Sequence, residues 1–381
     1  MKQFLYGSSA LVAALAVAGT VQAAEPLKVG VAGVMQEWFG VIHQKKMAGA
    51  TPLDINTFGI NADTEVDFAA ETKLDNGLVV HAQINVKTHG NNTAISVDKQ
   101  YASVAGGVGT LYLGARESTN DSLHNEAPDV GIGYDDVDIW IQAPANYAAN
   151  SGVFAGNVVN GTSMKVLINN PAMSVGYVTP QFGGFSMAAT FAPSTGTVGA
   201  VNKANVPAGG NPTNLYNVWD ASVVYAGEFN GVTVGADLGT GGGKGNNGLG
   251  SPINSARVFN GGLKVGAKGF AVGGAYLRYD DRGALHSSAS SFQGHSWNAG
   301  ASYSTDVWAI SGLYFEETAR ADRTRPGQEK FDTYMLSGKY TMGPGVDLKA
   351  TAYRAEFKGQ DSAAANNTNG YGLISGLELT F

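Results

Sequence analysis

The chain has 381 residues, no cysteine, and 24 Lys and Arg against 31 Asp and Glu, which gives a formal net charge of −7. The acidic balance argues against a nucleic-acid partner, because such binding needs a basic surface. Because the chain has no thiol, it cannot form disulfides, bind metals through cysteine or use thiol catalysis. Gly contributes 53 residues, about twice its average share, and this argues against a helical protein because an interior Gly costs a helix about 1 kcal/mol relative to Ala.

The first residues have the pattern of a secretory signal peptide. A charged start with Lys2 precedes an apolar run over residues 4–19 and the small-residue site Val21-Gln22-Ala23. The run is too short for a transmembrane helix and is interrupted by Gly and Ser. We therefore expect cleavage after Ala23, with residues 1–23 as signal peptide and residues 24–381 as one β-barrel domain.

Alternation of apolar and polar residues predicts strands along the rest of the chain. Residues 65–74 alternate, the turn Asp75-Asn76-Gly77 follows, and residues 79–87 alternate again, with Ile84 on an apolar face and Gln83 on a polar one. Such a hairpin suits a barrel with lipid on one side and water on the other. The same parity predicts, further along the chain, that Asp237 and Lys264 face water and that Val234 and Leu263 face lipid.

The connections between predicted strands alternate in length. The short turns are 75–77, 106–109, 180–184, 229–231, 267–269, 304–306 and 342–345. The longer segments are 39–56, 88–97, 117–162, 193–215, 239–254, 281–293, 318–328 and 359–368. Seven turns and eight longer segments make 15 connections, which predicts a 16-stranded antiparallel transmembrane β-barrel rather than a soluble sandwich. A barrel of that size is wide enough for an aqueous lumen.

Four segments have a distinctive order and spacing: residues 27–33 with Trp38-Phe39-Gly40, residues 106–114, residues 177–185, and the alternating strand that ends at Phe381. Together they resemble the corresponding segments of Gram-negative general porins of the alphaproteobacterial type. The resemblance implies a homotrimer in the outer membrane, in contact with lipopolysaccharide and outer-membrane lipid, with one water-filled pore per subunit. It also implies that the long third loop folds into the lumen.

The third loop is the main candidate for a functional site. Residues 117–162 contain seven Asp and Glu and no Lys or Arg. The expected acidic half of a pore constriction is Glu126, Asp129, Asp135, Asp136 and Asp138. The expected basic half, on the barrel wall, is Arg116, Lys87 and His81. The alternative for the acidic residues is an outward loop whose carboxylates bind Ca²⁺ at the lipopolysaccharide surface; no other cofactor is expected.

These observations predict a channel for passive diffusion of small hydrophilic solutes and ions, with a weak preference for cations. An enzyme is not expected, since neither G-x-S-x-G nor H-E-x-x-H occurs. A barrel with a plugged lumen is a further alternative, although no plug segment is recognisable. The main alternative to a general diffusion channel is a substrate-specific outer-membrane channel. Against a sugar channel, Trp219, Tyr225, Trp297, Tyr303, Tyr334 and Tyr340 share parity with apolar residues and are expected to face lipid.

Overall fold

The computed structural model describes most of the chain outside its N-terminal region and parts of its long connections. The described residues are 26–45, 57–89, 95–134, 139–142, 144, 161–168, 172–195, 215–245, 255–280, 290–322, 326–360 and 366–381. The predicted signal peptide, residues 1–23, lies outside them, and the assignment stays a prediction.

Sixteen antiparallel strands form a closed barrel in which each strand pairs with its neighbours in the sequence. The strands are β1 Lys28–Gln44, β2 Phe58–Lys73, β3 Val79–His89, β4 Ser96–Gly106, β5 Gly109–Ala115, β6 Met173–Val178, β7 Phe185–Ser194, β8 Leu215–Phe229, β9 Val232–Gly245, β10 Ala256–Ala267, β11 Phe270–Asp280, β12 Ser290–Ser304, β13 Trp308–Asp322, β14 Glu329–Gly343, β15 Val346–Lys358 and β16 Asn367–Thr380. The helix α1 spans Thr119–Leu123, and a 3₁₀ turn spans Met164–Val166. The predicted strand number is confirmed.

The barrel closes where the last strand meets the first. The backbone of Gly33 in β1 donates to and accepts from that of Phe381, at 2.9 and 3.1 Å. The β1–β16 register begins nearby, with Val34 opposite Thr380. Closure leaves no unpaired sheet edge.

The seven predicted short turns lie between the strands that they were expected to join. Three of them have the positive φ angles at both central residues that a type I′ turn requires: Gly183 (φ 58°) with Gly184 (φ 89°), Asn230 (φ 51°) with Gly231 (φ 80°), and Lys268 (φ 50°) with Gly269 (φ 86°). These turns therefore fix the hairpins β6–β7, β8–β9 and β10–β11.

The prediction that the Gly-rich stretch after residue 239 forms a loop is partly wrong. Strand β9 continues to Gly245, and Gly241, Gly242 and Gly243 pair with residues of β10. Neighbouring strands on both sides supply the backbone hydrogen bonds, and this outweighs the low intrinsic strand propensity of Gly.

The outer face of the barrel is apolar. On β9, Leu238 is 75% exposed, whereas Asp237 on the opposite face is 4% exposed. Contacting aromatic side chains on the outer face include Trp297, Tyr314 and Tyr334 on β12 to β14, and Tyr303 and Trp308 beside the turn between β12 and β13. Outward aromatic residues of this kind are typical of barrel strands that meet a bilayer interface. No helix in the described part of the chain is long and apolar enough to cross a membrane.

The inner face is partly apolar. Toward the long loops, Phe315, Phe331 and Phe357 point inward and are fully buried. They pack with apolar residues of the segment after β5, including Ile139 and Ile141. This part of the inner wall is therefore covered by another segment of the chain.

Candidate functional site

The inner wall formed by β2 and β3 carries a row of carboxylates. Asp63, Glu65, Asp67 and Glu71 alternate along β2, and each faces a polar or basic residue of β3 in the strand register. Asp67 accepts hydrogen bonds from Gln83 (2.8 Å) and Asn85 (2.6 Å). Asn85 also donates to Glu65.

Two of the three predicted basic residues, Lys87 and His81, lie on this wall, and the third, Arg116, follows β5. Lys87 Nζ is 3.2 Å from Asp63 Oδ2, and His81 Nδ1 is 3.8 Å from Glu71 Oε2. The wall therefore combines cations with carboxylates, and the role of Arg116, Lys87 and His81 in a constriction stays a prediction.

Arg116 is held in place by aromatic rings. Its guanidinium carbon lies 4.1 Å from the ring centroid of Tyr112 and 5.2 Å from that of Tyr101. Its Nη2 donates to Ser122 Oγ at 2.5 Å. Because the planar guanidinium stacks on rings while it donates, the start of the acidic segment is fixed to the wall.

Lys99 belongs to this group and was missed from the sequence. Its Nζ lies 3.1 Å from Glu117 Oε1, with both side chains largely buried. Burial alone would favour the neutral acid, but Lys99 and Arg116 outweigh it and hold the pKa of Glu117 below its usual range. Lys99, Tyr101 and Ser103 occupy every second position of β4, and this alternation could have placed Lys99 on the inner face from the sequence.

The segment that follows β5 contacts the inner face of one strand after another. Thr119 bonds to Thr190 of β7, Asn120 to Asn260 of β10, Ala127 to Asn298 of β12, Val130 to Ser311 of β13, Trp140 to Tyr353 of β15, and Gln142 to Gln44 of β1. These contacts extend around most of the barrel wall.

Small inner residues give the segment room. A Cβ atom on Gly273 of β11 would lie 2.8 Å from the carbonyl oxygen of Glu126, and one on Gly300 of β12 would lie 3.3 Å from Cβ of Ala127. The segment's backbone therefore passes directly over these strands.

Two of the five predicted acidic residues are bound to the wall. Glu126 accepts hydrogen bonds from Asn298 (3.2 Å), Thr162 (3.3 Å) and Tyr134. Asp129 accepts from Ser311 Oγ at 3.0 Å. The other three, Asp135, Asp136 and Asp138, lie outside the described residues. The role of all five in a constriction stays a prediction.

A buried ion pair that the sequence did not predict joins the segment to β9. His124 Nδ1 lies 2.8 Å from Asp237 Oδ2, and the two side chains are 3% and 1% exposed. Asp237 Oδ1 also accepts from the backbone N–H and the side-chain amide of Asn125, at 2.7 and 3.0 Å. Asp237 thus faces inward as expected, but it binds the segment rather than water.

A second apolar cluster holds the far end of the segment. Met164, Leu167 and Ile168 are buried against inner-face residues of β8, β10 and β11, such as Val218 and Val258. The segment is thus fixed to two separated parts of the wall by apolar packing, and by polar bonds between them.

Within the described residues, no three His, Asp or Glu side chains are arranged to hold a metal ion. The Ca²⁺ considered for the acidic loops therefore stays a prediction.

Comparisons with solved structures identify the fold. OmpT of Vibrio cholerae, in its trimer form, has 11% identity and a TM-score of 0.61, with 94% of this chain and 100% of that chain covered. An anion-selective porin from Comamonas acidovorans has 13% identity and a TM-score of 0.56, with 93% and 100% covered. A mutant of the Rh. blastica porin has 10% identity and a TM-score of 0.52, with 93% and 100% covered.

No curated protein sequence matches this chain significantly. A family model described as Gram-negative porin matches residues 9–360, which is most of the chain. With the closed 16-stranded barrel, this match places the protein in the outer membrane: the chain belongs to the Gram-negative porin family.

Proposed function

We propose that the protein is a water-filled diffusion channel for small hydrophilic solutes and ions, with a weak preference for cations. The observation that carries the proposal is the charge of the inner wall. Four carboxylates of β2 line it, and the acidic segment after β5 continues from it. Passive diffusion needs no catalytic group, and we assign no enzymatic step to the chain.

In this proposal the segment after β5 lies inside the barrel and narrows the channel. Its support is the set of bonds to inner-face residues, from Thr190 in β7 to Gln44 in β1. A segment on the outside of the closed barrel has no path to these side chains. Glu126 and Asp129, in the first third of the segment, then place carboxylates across the channel from the β2 row.

The cation preference follows from the excess of carboxylates. On the β2–β5 wall, Lys87, Lys99 and Arg116 are paired or stacked near Asp63, Glu117 and tyrosine rings. Glu65 and Asp67 accept hydrogen bonds from neutral amides, and of the two Glu65 also lies near Lys87 and Lys99. Uncompensated carboxylates around an aqueous constriction raise the local concentration of cations. The expected preference is opposite to that of the anion-selective Comamonas acidovorans porin.

The arrangement of inner aromatic residues disfavours the substrate-specific alternative. A sugar channel needs exposed aromatic faces along the water-filled path. Phe315, Phe331 and Phe357 face inward, but they are fully buried beneath the segment. Tyr101 and Tyr112 are stacked with Arg116. These rings therefore stabilise the wall and the segment.

We infer that residues 1–23 direct export, that the protein assembles as a homotrimer, and that its outer aromatic residues contact lipid and lipopolysaccharide. The Vibrio cholerae OmpT structure is of a trimer form. The exposed apolar face of the barrel suits lipid contact or contact with another copy.

The experiment is a recording of conductance and reversal potential in planar bilayers under a KCl gradient. We expect open channels and a reversal potential displaced toward that of K⁺. Glu65→Gln with Asp67→Asn removes two wall carboxylates and is expected to move the reversal potential toward that of Cl⁻. The matched control is Glu356→Gln on the outer face of β15, which is expected to leave it unchanged. A folded, inserted barrel without conductance would refute the channel, and equal shifts in both variants would refute the wall assignment.

A further inference from the structure

His124, in the acidic segment, contacts one carboxylate directly and a second one through a hydroxyl group. Its Nδ1 lies 2.8 Å from Asp237 Oδ2 on β9, and its Nε2 lies 3.1 Å from Thr162 Oγ1. Thr162 in turn bonds to Glu126 Oε2 at 3.3 Å. The result is a chain of hydrogen bonds from the barrel wall to Glu126 in the same segment.

The hydrogen bonds along this chain are all satisfied when His124 is charged. An ionised carboxylate only accepts, so Nδ1 donates to Asp237. When the single hydroxyl proton of Thr162 is donated to Glu126, the hydroxyl accepts from Nε2–H. The imidazolium carries a proton on both nitrogens and so supplies both bonds, whereas the neutral tautomer with its proton on Nδ1 takes the hydroxyl proton of Thr162 away from Glu126.

The surroundings of His124 supply the matching negative charge. The charged groups near it are Asp237 on β9, Asp121 on α1 and Glu126 on its own segment. Lys165 lies near Asp121. The amide of Asn260 on β10 contacts Nδ1 of His124 at 3.4 Å, and the amide of Asn298 on β12 contacts Thr162. Lys264 is the inner-face residue two positions beyond Gly262 on β10. Burial disfavours the imidazolium, but the hydrogen bond and charge of Asp237 outweigh it and raise the pKa of His124 above its ordinary 6.5.

We propose that His124 and Asp237 form a protonation-dependent latch that positions the acidic segment in the channel. The proposal rests on the proposed channel function. When His124 loses its Nε2 proton, the single proton of Thr162 cannot serve both His124 and Glu126. The charge that offsets Asp237 and Glu126 is lost at the same time. Fewer hydrogen bonds then attach the segment to the wall, and the segment leaves its position in the channel more frequently.

The sign of the pH effect follows from the raised pKa. A group with a raised folded-state pKa contributes its full stabilisation below its ordinary value and loses it as the pH rises through the folded-state value. The latch is therefore closed in acid and opens above pH 6.5. Loss of one hydrogen bond to a charged group changes an equilibrium by roughly tenfold or more.

Single-channel recordings between pH 5 and pH 10 test the latch. In the wild type, transitions between conductance levels should become roughly tenfold more frequent as the pH rises through the pKa of His124. His124→Gln and Asp237→Asn should each show the frequent transitions at every pH. The control His295→Gln changes a histidine that bonds to Thr318 on the outer face, and it should keep the pH-dependent step.

Two results would overturn the latch while leaving the channel in place: a wild-type channel whose transition frequency is independent of pH, or a His124→Gln channel that keeps the step. Absence of conductance in every folded variant would instead refute the channel itself, and the latch with it. NMR of ¹³C-labelled histidine in the wild-type barrel gives an independent measurement, with the signal assigned by its absence in His124→Gln. A His124 pKa at or below 6.5 in the wild type would also overturn the latch.

Discussion

The carbonyl oxygen of Asn125 occupies the space that a Cβ atom on Gly262 would need. Gly262 lies on the inner face of β10, opposite Asp237 of β9. The carboxylate of Asp237 accepts a hydrogen bond from the backbone N–H of Asn125. The acidic segment therefore meets the wall backbone to backbone at this point. Any side chain larger than hydrogen at residue 262 must push the segment away.

Gly262→Ala is therefore expected to destabilise the attachment of the segment. Overpacking of this kind costs about 1–3 kcal/mol. Gly312→Ala on the outer face of β13 is the matched control, because its added methyl group meets nothing within 4 Å. Urea unfolding followed by tryptophan fluorescence, together with the frequency of conductance transitions, measures the difference. Equal behaviour of the two variants would contradict the close approach.

The strand number and the turns were predictable because both depend on local sequence. Alternation placed Ile84 outward and Gln83 inward, and their exposures of 48% and 6% agree. The turn at Asn230-Gly231 was recognisable from residue type alone. Backbone pairing over such short separations leaves few alternatives.

The attachment of the acidic segment was not predictable, since it depends on residues far apart in the sequence. His124 and Asp237 are separated by 113 positions, and nothing near either residue indicates the other. The inward Phe315 and Phe331 follow no polar alternation, because the segment replaces water as their neighbour. Pairing of the predicted cations with carboxylates on the same wall likewise required the strand register.

Lys99→Gln is expected to destabilise the protein in a way that depends on pH. A depressed carboxyl pKa stabilises the folded state above its ordinary value, 4.5 for Glu117, and this stabilisation is lost as the pH falls through the lower folded-state value. Removal of Lys99 should therefore cost roughly 1.5–3 kcal/mol at pH 7 and less in strong acid. Urea unfolding at several pH values measures both. Combination with Glu117→Gln should recover part of the loss, and strict additivity would exclude the coupling.

A charge placed on the outer face of β3 should be far more costly than one on the inner face. Ile84 lies midway along the strand and faces outward. Ile84→Lys is therefore expected to destabilise the folded barrel by about 2–4 kcal/mol, which is the cost of a Lys at a lipid-facing position near the bilayer midplane. Gln83→Lys is the matched inner change, where the new cation lies beside Asp67. Folding yields into lipid vesicles compare the two, and similar yields would show that the register is wrong.

The proposed homotrimer predicts heat-modifiable migration in SDS gels. Barrel strands resist detergent because every broken backbone hydrogen bond in lipid costs several kcal/mol. Unheated samples should migrate as an oligomer and boiled samples as a monomer. Chemical crosslinking before boiling should give species of up to three chains. Unheated material that migrates only as a folded monomer would argue against the trimer without affecting the barrel.

The cation preference should depend on ionic strength. At about 0.15 M salt the Debye length is about 8 Å, so Glu65 and Asp67 influence only ions that pass close to the wall. At about 0.01 M the length is about 30 Å, and the carboxylates of both the wall and the segment act across the lumen. When the KCl solutions on both sides of the bilayer are diluted at a constant ratio of their concentrations, the K⁺ to Cl⁻ permeability ratio of the wild type should therefore increase.

The variant that combines Glu65→Gln with Asp67→Asn should lose most of this increase on dilution. Glu356→Gln, on the outer face, should keep it. The difference between the two variants must itself become larger as the salt is diluted, because screening weakens interactions between separated charges and leaves direct contacts nearly unchanged. A permeability ratio that differs between the variants by a constant factor at every salt concentration would point to a contact site for cations. In that case the long-range field of the wall would not be the source of the preference.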